Sequence, residues 1–168
     1  LLGGIATNFN SNLLINNASE FTVIEADEFD RSFLQLNPFA SIITSIDPDH
    51  LDIYDDAATF REGFQQYAQL TSAKGCLVVR EGITLRSNAT QISYAINSET
   101  ADYGGSNLRV EGSQFFMDVK TPRANFKAVA LGIPGIHNAE NALACFALLE
   151  FIGCDEIEIR NGLQSFKG

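Results

Sequence analysis

The chain has 168 residues, with 21 acidic against 11 basic side chains and a formal charge of −10. That length fits a single hydrophobic core, and 45% hydrophobic with 19% charged residues is typical of a globular domain. The acidic charge, without a basic cluster, disfavours nucleic acid as a partner. No apolar run approaches the roughly 20 residues that span a bilayer, so no membrane partner is expected either.

The first half of the chain alternates between strand-like and helix-like patterns. Residues 21–26 and 40–46 are apolar, β-branched runs that end in acidic residues, and they predict two buried strands. Apolar positions at helical spacing predict a helix over Ala57–Leu70. Residues 75–80 are again strand-like. This alternation predicts an α/β fold with a mainly parallel central sheet flanked by helices.

The second half changes to short alternating segments and ends in helices. Residues 91–96, 101–110, 114–120 and 126–131 are separated by turn residues, which predicts an antiparallel β meander added to the parallel sheet. Two helices are predicted after it, from His137 to about Phe151 and over residues 156–166.

The three cysteines, Cys76, Cys145 and Cys154, lie in or beside apolar stretches and lack the spacing of a zinc site. We interpret them as buried free thiols. An odd number of cysteines without a signal peptide favours a reducing, cytoplasmic location.

Four carboxylates lie directly after the first predicted strand, in Glu25-Ala26-Asp27-Glu28-Phe29-Asp30. The carboxyl ends of strands are where open α/β sheets bind ligands. Side chains alternate along an extended chain, so Glu25 and Asp27 can share a direction, and like charges that close are costly without a cation. A cation site is one interpretation of this segment, and a solvated acidic turn is the other.

A second acidic segment follows the next predicted strand and contains a histidine. His50 stands among Asp47, Asp49 and Asp52. Imidazole with carboxylates suits either a divalent ion or a histidine that a carboxylate orients. One Glu plus one His is too sparse for a closed zinc cage, whereas Mg²⁺ keeps several waters and takes few protein ligands. A purely structural histidine is the alternative.

The third segment begins the first of the two C-terminal helices. Asn138 and Asn141 are three residues apart, so they project from one helix face near its N-terminus. A carboxamide carries both a donor and an acceptor, which matches the edge of adenine. Ordinary capping of the helix by Asn138 is the alternative.

Three stretches, taken together and in this order, resemble the Mur ligase family: EADEFDRSF, IDPDHLDIY and PGIHNAENALA. The resemblance runs from Gly3 to Gly168. It implies a ligase that phosphorylates a substrate carboxylate with ATP and lets the amine of an amino acid attack the acyl phosphate, in peptidoglycan precursor synthesis.

The resemblance also implies roles for individual residues. Glu25 and His50 would be the catalytic metal ligands, Glu25 holding Mg²⁺ near the transferred phosphate and His50 holding a second Mg²⁺ between substrate and phosphate. For the cofactor ATP, Asn138 and Asn141 would read adenine and His137 would lie beside the nucleotide.

The N-terminal segment resembles the family's stretch after the first helix of its ATP-binding domain. By that likeness Gly3, Gly4 and Asn12 would touch the UDP-sugar. The residues of the first two motifs are most similar to those of the alanine-adding branch of the family, whose substrates are UDP-N-acetylmuramate and L-alanine. Residues 63–68 hold no lysine that could be carbamylated, which fits this branch.

The family's phosphate loop, GxxxxGK[ST], does not occur in the sequence. We therefore expect residues 1–168 to be a fragment of the central, ATP-binding domain, without the phosphate-loop segment, the N-terminal UDP-binding domain and the C-terminal domain. Alone, such a fragment would be catalytically inactive.

Two other functions remain open from the sequence. One is a non-catalytic acidic domain that binds a divalent metal through Glu25 and His50. The other is a related ligase, such as the one that reattaches a recycled tripeptide. Folylpolyglutamate synthetases share the broad plan but fit these motifs less well.

Overall fold

The computed structural model describes residues 1–48 and 56–168. In this part of the chain one six-stranded sheet has the order β1-β2-β3-β4-β5-β6, accompanied by three α-helices and a short 3-10 helix, Ser32–Gln35. In chain order the elements are β1 Ser41–Ile43, α1 Ala57–Leu70, β2 Cys76–Arg80, β3 Thr90–Ile96, β4 Tyr103–Glu111, β5 Gln114–Lys120, β6 Asn125–Leu131, α2 Ile136–Phe151 and α3 Glu156–Ser165.

The sheet is mixed, which confirms the predicted fold class. Strands β1 to β4 are mutually parallel, and β5 and β6 are added antiparallel. The predicted meander is therefore wrong for its first segment, because β3 lies parallel to both of its neighbours, β2 and β4. Among the described strands of the sheet, the antiparallel pairs are formed by β4, β5 and β6.

The parallel pairing of β3 and β4 depends on a short connection, residues 97–102. Parallel neighbours usually need a long crossover, which is why a short connection suggested an antiparallel hairpin. Here Asn97 takes a left-handed φ of 57°, and Asp102 accepts hydrogen bonds from the backbone N–H and the hydroxyl of Ser93. These contacts return the chain to the side of β3, so that β4 runs in the same direction.

Strand β2 separates two hydrophobic clusters. Cys76 and Val78 belong to the larger cluster, under α2 and α3, whereas Leu77 and Val79 belong to the smaller one, under α1 and the 3-10 helix. All four side chains are buried. A strand buried on both faces is typical of the centre of an α/β sheet.

Helix α1 has the predicted bounds, and it covers the smaller cluster. Its buried residues lie at helical spacing and include Phe60, Tyr67 and Ala68. At its start the Asp56 side chain accepts a hydrogen bond from the Thr59 N–H at 2.7 Å, which satisfies a donor that the first turn leaves open.

Helices α2 and α3 cover the larger cluster on the other side of the sheet. Small residues such as Ala139, Ala144 and Ala147 are buried in α2, and they let the helix pack closely. Helix α3 begins with a capping box between Asp155 and Glu158. Among the described helices none is long and apolar enough to cross a membrane.

The segment 21–26 is not the buried strand that its composition predicts. Val23 is 73% exposed, and Phe21 and Ile24 are exposed as well. A strand needs backbone partners along its length, but within the described residues Leu1 alone pairs with this segment, through bonds to Val23 O and from Glu25 N. The segment is therefore extended but does not form a regular strand.

Asp118 ties two irregular positions of the antiparallel strands together. Asp118 is only 7% exposed. Its carboxylate accepts hydrogen bonds from the Ala128 N–H and the Lys127 ammonium, both at 2.9 Å. It also accepts hydrogen bonds from the side chains of Asn107 and Arg109, both at 3.3 Å. Asn107 and Ala128 both have left-handed φ values, 50° and 52°, at register shifts on either side of β5. The bond from Ala128 and the Lys127 ammonium hold the pKa of Asp118 well below its usual range.

Replacing Asp118 with Asn should lower the free energy of unfolding by about 1–3 kcal/mol at about pH 7, because four donors lose a charged acceptor. The folded-state pKa lies below the unfolded one, so the stabilisation is complete above about pH 4 and is lost as the pH falls through the folded pKa. Urea unfolding at about pH 7 and about pH 3 should show the difference from wild type shrinking at the lower pH.

Glu111→Gln is the matched control, because Glu111 contacts the same Arg109 but is exposed. It should change stability by less than about 0.5 kcal/mol. An equal effect of both substitutions would contradict a special role for Asp118.

Candidate functional site

A cavity of about 390 Å³ lies where the first two parallel strands end. Its walls are residues 44–47 after β1, residues 80–84 at the end of β2, and Arg61 from α1. The carboxyl edge of parallel strands is where open α/β sheets bind ligands. The cavity thus places Asp47, from the second acidic segment, at the expected edge of the sheet.

The first acidic segment meets the N-terminal glycines. The Gly3 N–H donates to Oε2 of Glu25 at 2.6 Å, and the Leu2 N–H donates to the Asn12 carbonyl at 2.9 Å. The structure therefore brings together Glu25, Gly3 and Asn12, which the sequence assigned to metal and sugar binding separately. Gly4 has open space on the side where a Cβ would lie.

Two other carboxylates of this segment shape the turn that follows. Asp27 accepts from the Phe29 N–H and Asp30 from the Ser32 N–H, each at 2.9 Å. Hydrogen bonds from Ser32 lower the pKa of Asp30. These local bonds lead the chain into the 3-10 helix, while Glu25 points back to Gly3 and is exposed.

The second acidic segment is described up to Pro48. Asp47 Oδ2 accepts a hydrogen bond from the Ser45 hydroxyl at 2.8 Å. His50 lies outside the described residues, so its role as a metal ligand remains a prediction. Ala26 and Ile46, each next to an acidic residue, both pack against the smaller hydrophobic cluster. The two acidic segments therefore flank the same cluster.

The start of α2 differs from the simple capping alternative. Gly135, with φ 113°, is the N-cap, and Asn138 lies within the first turn. The Nδ2 of Asn138 donates a hydrogen bond to the Pro134 carbonyl at 2.8 Å, and this bond stabilises the turn before the helix. Asn141, one turn further, is exposed, and so is His137. Asn138 is therefore not the N-cap, and the three polar side chains stand at the open end of the helix.

An ion-pair network that the sequence did not reveal connects this helix to β2. Glu140 accepts from Arg80 Nη2 at 2.9 Å, and its other oxygen lies 3.6 Å from Nδ1 of His137. Arg80 also lines the cavity. The network thus links the start of α2 to the carboxyl end of β2. The i,i+3 spacing of His137 and Glu140 was visible in the sequence, but the contact with Arg80 depends on tertiary packing.

Metal ligands are not clustered in the part of the chain that the structure describes. Across residues 1–48 and 56–168, no three His, Cys, Asp or Glu side chains form a group that could hold a metal ion. The three cysteines are free: Cys76 is buried, Cys154 is half-buried, and Cys145 is exposed, which corrects its prediction as a buried thiol. Burial raises the pKa of the Cys76 thiol to about 11, which keeps it protonated and inert.

The sequence profile of the Mur ligase middle domain matches residues 5–149, most of the chain. The chain belongs to the Mur ligase family. A UDP-N-acetylmuramate–L-alanine ligase from Phocaeicola vulgatus is 42% identical over 99% of the chain, and one from Flavobacterium psychrophilum is 41% identical over 99%. The Mur ligase chain spans 37% and 36% of the length of these relatives.

Solved structures show the same fold. The UDP-N-acetylmuramate:L-alanyl-gamma-D-glutamyl-meso-diaminopimelate ligase from Neisseria meningitides matches all of this Mur ligase chain with a TM-score of 0.81 and 22% identity, over 57% of its own length. The UDP-N-acetylmuramate-alanine ligase from Thermotoga maritima matches 84% of the chain with a TM-score of 0.69 and 23% identity, over 32% of its own length.

The contact between Gly3 and Glu25 can be tested by a pair of alanine substitutions. A Cβ at Gly3 would lie 3.2 Å from Glu25 Oε2, whereas one at Gly4 would meet nothing within 4 Å. Gly3→Ala should displace the Glu25 carboxylate and shift its carboxyl carbon resonance in an NMR spectrum. Gly4→Ala should leave that resonance in place. Equal shifts from the two substitutions would argue against the contact.

Proposed function

We propose that this Mur ligase chain is the nucleotide- and metal-binding part of an ATP-dependent enzyme that joins L-alanine to UDP-N-acetylmuramate through an acyl phosphate, in peptidoglycan precursor synthesis. The observation that carries the proposal is the near-complete coverage of the chain by relatives around 40% identical that bear this name. Residues 1–168 are proposed to be the central domain of that enzyme, or a fragment of it.

The side chain of Glu25 fits a magnesium ligand. Carboxylate oxygens are among the few protein ligands that Mg²⁺ takes alongside water and phosphate oxygens. The Glu25 carboxylate is exposed, and within the described residues its one hydrogen bond comes from the Gly3 N–H. That bond orients the group and leaves the other oxygen open. His50 is proposed as the ligand of a second Mg²⁺ by resemblance alone.

The start of α2 fits the base of a nucleotide. Asn138 uses its Nδ2 to hold the Pro134 carbonyl, so its Oδ1 remains as an acceptor that can meet an amino group. Asn141 is exposed with both carboxamide ends open within the described chain. His137 stands beside them. These three residues are proposed to bind ATP at its adenine end.

The bound groups supply the activation chemistry: ATP provides the phosphoryl group that activates the substrate carboxylate, and Mg²⁺ neutralises the charge that develops. The residues of this chain orient those groups. Gly3, Gly4 and Asn12 are proposed to contact the UDP-sugar, and the Gly3–Glu25 bond would then couple sugar binding to the position of a metal ligand. Because the sequence lacks a phosphate loop, we propose that the isolated chain is inactive and binds ATP weakly.

The substrates can be tested in the complete ligase that contains this chain. Phosphate release should require both UDP-N-acetylmuramate and an amino acid, and L-alanine should give the highest kcat/KM. Faster turnover with the tripeptide L-alanyl-γ-D-glutamyl-meso-diaminopimelate would instead favour a ligase of the kind matched in Neisseria meningitides. Phosphate release that does not depend on any amine acceptor would remove the proposed function.

The metal role of Glu25 predicts a large loss of turnover in the complete ligase. Glu25→Gln keeps an acceptor for the Gly3 N–H but removes the charge that Mg²⁺ needs, and Glu25→Ala removes both. Each should lower kcat by more than about a hundredfold, as measured by phosphate release at saturating substrates. Glu20→Gln, at an exposed carboxylate five positions earlier, should retain wild-type turnover. Wild-type turnover in Glu25→Gln would make Glu25 a bystander.

A further inference from the structure

Glu140 has a mostly buried carboxylate at the proposed nucleotide site, and the proposed function assigns no role to it. Its side chain is only 14% exposed, whereas that of His137, one turn earlier on the same helix, is 88% exposed. A carboxylate in such a position is costly unless a cation compensates it. Near an anionic nucleotide it would also be repulsive. A carboxylate in this position therefore needs specific cationic partners.

Arg80 is the partner that compensates this charge. It is the last residue of β2, and its Nη2 contacts Glu140 Oε1 at 2.9 Å. Because β2 is buried on both faces, the backbone from which the Arg80 side chain extends has a fixed position beside the helix. Glu140 is therefore held from the sheet and not only by its own helix.

The second carboxylate oxygen faces the histidine. Glu140 Oε2 lies 3.6 Å from Nδ1 of His137, which is too long for a hydrogen bond but within the range of direct electrostatic attraction. An acceptor on the Nδ1 side favours the tautomer that carries its proton there, and it leaves Nε2 as an outward acceptor. Among the described residues Glu140 is the one charged group that contacts this ring.

A buried tyrosine of β3, Tyr94, lies near this network. Tyr94 is fully buried, and its hydroxyl has no hydrogen-bond partner among the described residues. Burial raises the pKa of Tyr94 to about 12, and the charge of Glu140 adds to the rise. Buried surroundings screen charges weakly, which strengthens the attraction between Glu140 and Arg80 on the side that faces the sheet.

We propose that Glu140, held by Arg80, is a positioning residue that favours one orientation and the Nδ1–H tautomer of His137 for nucleotide binding. This inference rests on the proposed function, because it requires a nucleotide at the start of α2. Arg80 acts in it only through Glu140. The role is one of binding geometry, so it should affect the KM for ATP rather than the chemical step.

Glu140→Gln in the complete ligase is the central test, because it removes the charge and preserves the size of the side chain and its acceptor for Arg80. The KM for ATP should rise about three- to tenfold, the range expected for loss of one net polar contact, while kcat stays within about twofold. In spectra of ¹⁵N-histidine-labelled ligase, assigned with His137→Gln, the neutral ring of His137 should shift from the Nδ1–H toward the Nε2–H tautomer.

Glu156→Gln is the matched control, because Glu156 also binds an arginine, Arg160, at 2.7 Å, but on α3. It should leave both the KM for ATP and the His137 spectrum unchanged. The double variant Arg80→Gln/Glu140→Gln should raise the KM no further than the more severe single variant. A multiplicative effect would show that Arg80 acts independently, and it would overturn the proposed arrangement.

Two further variants separate the failure of this inference from the failure of the proposed function. If His137→Ala raises the KM for ATP but Glu140→Gln changes neither the KM nor the tautomer, the positioning role is wrong and the nucleotide site stands. If His137→Ala and Asn138→Ala both leave the KM unchanged in a folded ligase, the nucleotide site itself is wrong, and the inference falls with it.

Discussion

Burial of β2 on both of its faces is the constraint on which the remaining structure depends. Alternate residues of the strand enter two separate hydrophobic clusters, so a shift by one residue would exchange the two sets and disrupt the packing of both clusters. Strands β1 and β3 pair with it in parallel, and helices cover both sides. A parallel arrangement directs the ends of β1 and β2 to one edge, and that edge carries the cavity and the polar groups.

Arg80 shows how this constraint reaches the proposed site. It is the first exposed residue after four buried ones in β2, and it both lines the cavity and binds Glu140 on α2. The end of the strand and the start of the helix are thereby joined by one ion pair. The Gly3–Glu25 bond makes a similar connection between the N-terminal loop and the first acidic segment. Glu25 and Glu140 are thus each held by a contact from another part of the chain.

Much of this architecture could be predicted from the sequence, because the helical spacing of apolar residues in α1 and the apolar runs that form α2 and β5 are local signals. The pairing direction of β3 and β4 could not, since it depends on a left-handed Asn97 and on side-chain bonds across the loop. Residues 21–26 have the composition of a strand, but a strand also requires partners, and composition does not report them. At the site, the motifs indicated Glu25, Asn138 and His137, whereas the contact between Arg80 and Glu140 joins residues sixty positions apart and leaves no local pattern.

In the proposed function, the first acidic segment and the start of α2 bind one metal-bound nucleotide. Paramagnetic broadening of backbone amide resonances in the complete ligase, with Mn²⁺ and ATP, tests it most directly. We expect loss of intensity both at Gly3 and Glu25 and at residues 137–141, with β6 at the far edge of the sheet much less affected. Broadening around Glu25 that leaves the α2 amides untouched would contradict it.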